Sequence, residues 1–136
     1  MTAKSWLNRG YELNEDINKL LEAQYKAYNL ACSTTSCVGN EKVQTSQTNS
    51  TEAKFVRYIA ISEEVDRRID ELFKIRVETL RIIKRVDNAL YRRILALRYV
   101  YFKPWGYIAY KVHKKPDTIR RTILDRAILN ITQHIV

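Results

Sequence analysis

Apolar residues recur at steps of three and four along most of this chain, the spacing that places them on one face of a helix. Trp6, Gly10, Leu13, Ile17, Leu20, Gln24, Ala27 and Ala31 form a first stripe, widened by Leu7, Leu21 and Tyr28. Asn14, Glu15, Asn18, Glu22 and Lys26 lie opposite. The pattern predicts an amphipathic helix over about 3–31, in need of a partner surface. Residues 33–51 are almost purely polar, with a turn signal at Gly39-Asn40. So few apolar anchors cannot offset the entropy of ordering, which predicts a mobile loop. Thr51 is the candidate N-cap of a second long helix over 52–87. Its stripe is Phe55, Ile59, Ser62, Val65, Ile69, Leu72, Leu80, Ile83 and Val86. Arg76 falls on that stripe and implies a local shift or a snorkelling side chain. Two helices of similar length around a loop predict an antiparallel hairpin. Such a hairpin keeps apolar surface at its flanks, which leaves two uses for it: a homodimer through the hairpin, or packing on the C-terminal bundle.

Asp87-Asn88 reads as a break, with a continuous helix as the alternative, and beyond it the pattern shortens. Leu90, Ile94, Leu97 and Tyr101 mark one helix, and Lys103-Pro104 stops it. Trp105, Ile108, Ala109 and Val112 mark a second, short helix, in which Trp105 should pack between its neighbours. His113–Asp117 is a polar break. Ile119, Ile123, Ala127 and Ile131 then face inward on a third helix, with Arg120 angularly among them. Thr118, Arg121, Thr122 and Asp125 face outward, and Arg121 and Asp125 are spaced to pair. The expected architecture is all-α. A long antiparallel helical hairpin (1–88) precedes a C-terminal three-helix bundle of helix-turn-helix type (89–136).

Composition narrows the class. Three Gly and two Pro favour long helices over a turn-rich β fold. No apolar run approaches the length of a membrane span, and the N-terminus lacks the apolar core of a signal peptide. The expectation is a cytoplasmic protein with no membrane partner. Charge is unevenly spread. Residues 91–136 hold ten Lys or Arg against two acids, a net +8, while residues 1–90 net only +1. A basic excess confined to the three-helix pattern points to double-stranded DNA, whose phosphates attract such a face and release counterions on binding.

Catalytic chemistry is not visible. The two His have no acid at helical spacing, and the three Gly form no phosphate-binding loop. Glu63-Glu64 and the Asp66/Asp70 pair sit among arginines and read as surface ion pairs. Cys32 and Cys37 lie in or beside the polar stretch, short of the four ligands zinc prefers. No enzyme activity, metal or cofactor is expected. The aromatics Tyr99, Tyr101, Phe102, Trp105, Tyr107 and Tyr110 read as core packing with some phosphate-facing hydroxyls, with stacking on bases as the alternative use.

Leu97-Arg98-Tyr99, Phe102-Lys103-Pro104-Trp105, Ile108-Ala109 and Arg126-Ala127-Ile128, in that order and spacing, resemble sigma-factor region 4. Together with Met1-Thr2-Ala3-Lys4, Trp6-Leu7 and Tyr11-Glu12-Leu13, they are most similar to the ArpU/RinA-like regulators of phages of Gram-positive bacteria. The resemblance implies a phage transcription regulator that binds promoter DNA in the bacterial host and touches host RNA polymerase. The chain departs from that pattern in three places. Pro104 stands where a polar cap is common, Gly106 and Tyr107 stand where acids are, and Ile119 lies eight residues before Ala127 instead of seven. The last departure leaves the register of the third helix open.

Within the DNA reading, Lys114, Lys115 and Arg121 would lie near phosphates or guanines, and Thr118, Thr122 and Asp125 would shape specificity. The other reading is an interaction factor that binds a host or phage protein through the hairpin, with DNA secondary.

Overall fold

The computed structural model describes the backbone of residues 2–36 and 44–135, and the side chains of 2–33 and 50–135. Most of its described residues are helical, and none of them is in a strand. Two long helices, α1 (Ala3–Ser36) and α2 (Gln44–Ile83), come first. Then follow α3 (Ala89–Tyr99), α4 (Trp105–Val112), α5 (Pro116–Thr118), a π-helical turn (Ile119–Ile123) and α6 (Leu124–Thr132). The all-α expectation holds, as does the order of a long helix pair before a short helical region.

Both long helices run further into the polar stretch than their apolar stripes suggest. α1 continues to Ser36, and α2 starts at Gln44, which puts Thr51 inside a helix and not at its cap. Ser, Thr, Asn and Gln are not helix breakers, so a helix already anchored on its apolar stripe propagates through them. The turn signal Gly39-Asn40 and the centre of the expected mobile loop lie outside the described residues.

The chain forms two compact units, and the division does not fall at 88/89. One unit is Met1–Asn14 with Leu72–Val136; the other is Glu15–Glu71. The reason is visible in the first unit's core. Leu7 of α1, and Ile83 and Val86 at and beyond the end of α2, are buried in one cluster with Ile94, Leu95, Ile108, Ile119 and Ile131. A bundle of three short helices is too small to bury an adequate core alone. The ends of the long helices complete it. Gly10 supports this packing: a Cβ there would stand 3.3 Å from the Phe102 ring and 3.4 Å from Ile75.

α2 ends with Arg81 in its last turn, where a cation complements the helix dipole. Asn88 caps α3: its side-chain oxygen accepts from the amides of Leu90 (2.9 Å) and Tyr91 (3.3 Å). The expected break at Asp87-Asn88 therefore exists. The buried face of α3 is rotated from the expected one. Ile94, Leu95 and Tyr99 are buried, Leu90 and Leu97 are half-buried, and Tyr101 is exposed beyond the helix end. Backbone geometry explains Tyr101. Phe102 takes a positive φ of 56°, and the Lys103 amide donates to the Leu97 carbonyl (2.9 Å), which turns the chain out of the helix direction.

In the second unit the helices run antiparallel. Gln24 donates to Ser62, and Tyr28 meets Tyr58, so one residue number falls by four as the other rises by four. The α2 stripe is also rotated here. Val65 is buried and Tyr58, Ile61 and Arg68 are half-buried, whereas Phe55, Ile59 and Ile69 are exposed. The cause is competition between two apolar rows one residue apart; the row with Tyr58, Ile61 and Val65 is the one that packs.

Candidate nucleic-acid interface

The candidate surface comprises α4, the turn after it, and the third helix. α4 buries Ile108, Ala109 and Val112 as the spacing predicts. Pro104 occupies its N-cap with extended backbone. Trp105 is only half-buried, contrary to the expected central position. It packs against the core edge and carries the Arg98 guanidinium 4.6 Å above its ring. The same guanidinium lies 5.0 Å from the Tyr11 ring, so one cation is held between two aromatic faces. Arg76 does likewise with Phe102, at 5.0 Å. An arginine on an apolar stripe is accommodated by an aromatic face there.

The turn is tighter than the polar stretch suggests. His113 closes α4 in the left-handed conformation (φ 56°, ψ 42°), and the Lys114 amide donates to the Ala109 carbonyl at 3.2 Å. This is a Schellman closure with His in the position glycine usually takes. Helix resumes at Pro116, whose missing N–H costs nothing in a first turn. Lys114 and Lys115 are thereby held, exposed, between the two helices.

The third helix contains the feature that sequence periodicity did not reveal. Residues 119–123 form a π turn, in which the Leu124 amide donates to the Ile119 carbonyl. Along a regular α-helix, eight residues overshoot two turns by ~80°, whereas seven fall ~20° short. A π turn absorbs one extra residue. Ile119 and Ala127 therefore share the inward face despite their eight-residue spacing, and both are fully buried with Ile131. Leu124 takes the inward place expected of Ile123, which is half-buried.

All six expected site residues, Lys114, Lys115, Thr118, Arg121, Thr122 and Asp125, are solvent-exposed. The π turn changes their company. Arg126 and Leu129, past the turn, are exposed too, and Leu129 is 76% exposed despite its apolar side chain. Arg120 is not inward but exposed, and its guanidinium bonds Asp117 at 3.0 Å. That pair, and no Arg121–Asp125 pair, is the ion pair of this helix among the described residues. Within the same described residues, Arg121 and Arg126 thus stand without a carboxylate partner on the outer surface. Arg126 could have been found only by allowing an extra residue between Ile119 and Ala127.

Of the aromatics, Tyr99 is buried, Phe102 and Trp105 are half-buried, and Tyr101, Tyr107 and Tyr110 are exposed. The Lys103 and Lys111 ammonium groups stand 5.1 and 5.5 Å from the Tyr107 ring. α4 therefore presents a basic, aromatic surface of its own. Charge follows the two units. The first holds seventeen Lys or Arg against five acids, a net +12, while the second nets −3. Among the described residues no cluster of three His, Cys, Asp or Glu could hold a metal ion, and no helix is long and apolar enough to cross a membrane.

Over residues 30–122 the chain matches the family described as "Protein of unknown function (DUF1492)". The match spans more than half of the chain, and the chain belongs to that family. No match was found among curated proteins or among solved structures.

Proposed function

For this member of the family, we propose a non-enzymatic, sequence-specific DNA-binding function in transcription regulation. The observation that carries the reading is the outer surface of the third helix. Arg121, Thr122, Asp125 and Arg126 are exposed there, beside Lys114 and Lys115, on a unit of net charge +12. Exposed arginines not engaged by a carboxylate suit bidentate contact with guanine, and the lysines of the turn suit phosphates. Leu129 suits a thymine methyl or the floor of the groove. Asp117 and Arg120 neutralise each other at the start of the helix and contribute less. The sigma region 4 resemblance and the likeness to ArpU/RinA-like phage regulators support action at promoters, with host RNA polymerase, in the cytoplasm of a bacterial host.

The test is selection of binding sites from a random duplex library, then affinities for a selected and a scrambled site at several salt concentrations. Arg121→Ala and Arg126→Ala are each expected to weaken the selected site by about 1–3 kcal/mol and to relax preference at one base pair. Lys114→Ala and Lys115→Ala should weaken both sites alike and lower the salt slope by about one each. Parental binding of both DNAs by all four variants would remove the third helix as the reader.

One observation favours a second reading. The hairpin of the second unit exposes Leu21, Tyr25, Tyr28, Phe55 and Ile59. A protein-interaction role through that surface would survive loss of all four cations.

A further inference from the structure

The described residues of the second unit hold little core. Among its described residues the buried apolar side chains are Ile17, Ala27, Ala31 and Val65, two of them only alanine. The rest of the seam includes half-buried Gln24 and Arg68. Against this, Leu21, Tyr25, Tyr28, Phe55 and Ile59 are between 36% and 68% exposed.

These five lie on one side of the hairpin. In each helix they stand one residue past a seam position: Leu21, Tyr25 and Tyr28 past Leu20, Gln24 and Ala27; Ile59 past Tyr58, and Phe55 past Lys54. Two right-handed helices running in opposite directions both turn from their shared seam toward the same side. The contacts agree. The Tyr28 and Tyr58 rings are 5.5 Å apart, and a shallow depression is lined by Leu21, Gln24, Tyr25, Tyr28 and Tyr58. The polar groups within the face satisfy each other, since Gln24 donates to Ser62 at 2.9 Å and Ser62 to the Tyr58 carbonyl at 2.9 Å. Exposed Asp66, one residue past Val65, lies on the same side, level with Leu21 in this register.

We propose that this face docks a second copy of the chain, so that two hairpins bury their Leu21/Tyr25/Tyr28/Phe55/Ile59 sides against each other. Area selects the occupant. The exposed parts of the five side chains amount to roughly 500–600 Å², at the upper end of what monomers leave in one patch. With the polar rim this reaches the ~800 Å² per partner of a stable interface. Tyr25, Tyr28, Phe55 and Ile59 carry no charge, so their part of the face meets its own two-fold image with no like-charge contact. The layer formed is a four-helix one, which supplies the core that two helices lack. The proposal does not depend on DNA binding.

Sedimentation of the full-length chain across a wide concentration range, without DNA, tests it. The parent is expected to be dimeric. Tyr25→Glu combined with Ile59→Glu should raise the dissociation constant at least ~tenfold, the weight of about 1.4 kcal/mol, with helicity by circular dichroism retained. Val56→Glu, an exposed position off this face, should stay dimeric. A monomeric parent overturns the proposal and leaves the face to a foreign protein; a dimeric double variant overturns it by placing association elsewhere. If the double variant loses helix, hydrogen exchange of the parent decides. Protection of residues 18–30 and 54–62 that rises with concentration supports the dimer, and protection independent of concentration refutes it.

Discussion

The amide of Leu124 donates to the carbonyl of Ile119, five residues back, and this one hydrogen bond sets the register of the third helix. Without it, Ala127 would stand ~80° and Ile131 ~120° from the face on which Ile119 is buried. With it, Ile119, Leu124, Ala127 and Ile131 share the core, and Arg126 joins Arg121 outside.

Deleting Thr122 should convert the π turn to regular α-helix and bring Ile119 and Ala127 to a seven-residue spacing. The core is then kept, so thermal unfolding stays cooperative with little change in midpoint. Inserting an alanine after Ile123 adds a second surplus residue that one π turn cannot absorb. That variant should lose its sharp transition; equal melting curves for the two would show that the register is not under this control.

His113 is in the left-handed region, where a side chain crowds the following carbonyl. His113→Gly is expected to stabilise the first unit by about 0.5–1 kcal/mol, read as a higher urea midpoint at unchanged slope. Phe102 has the same φ but packs its ring against Tyr11 and beneath Arg76. Phe102→Gly should therefore destabilise. A stabilising effect at both positions would mean that the Phe102 ring contributes nothing.

Trp105 is half-buried, so Trp105→Ala should cost about 2–3 kcal/mol, below the range for a fully buried tryptophan. Part of the loss belongs to the stacked Arg98. A double-mutant cycle with Arg98→Ala should show a coupling of about 0.5–1 kcal/mol. Strict additivity would mean that the stack carries no energy.

Burial raises the Tyr99 phenol above its ordinary value; the charge of Arg98 opposes this and that of Asp125 adds to it. Burial favours the neutral form. The associated stability is full below the unfolded pKa of about 10 and is lost as pH rises from there through the folded value. While the phenol stays neutral in the fold, the unfolded chain ionises first and is favoured by rising pH. The stability difference between the parent and Tyr99→Phe should thus be flat at neutral pH and shift against the parent above about pH 10. A difference that stays flat into alkali would place the phenol in water.

Helix type was written in the sequence, because steps of three and four in apolar residues are satisfied by a helix with one buried face. The break at Asp87-Asn88 was legible where the apolar stripe ends after Val86, and α4 from Ile108, Ala109 and Val112; that Asn88 caps the next helix came from the structure. The confinement of positive charge needs only counting. What periodicity could not decide was which of two competing rows packs. Phe55 and Ile59 or Tyr58 and Ile61, Ile123 or Leu124, are alternatives one residue apart, and composition cannot rank them. The choice falls to tertiary contacts: a π turn that takes up one residue, and a core completed by Leu7 and Ile83 from helices distant in sequence. The outward face of the third helix is the complement of that choice. Lys114 and Lys115 could be placed from sequence, because a turn exposes them whatever the register. Arg126 could not, because its direction depends on a hydrogen bond between Leu124 and Ile119 that only the folded chain makes.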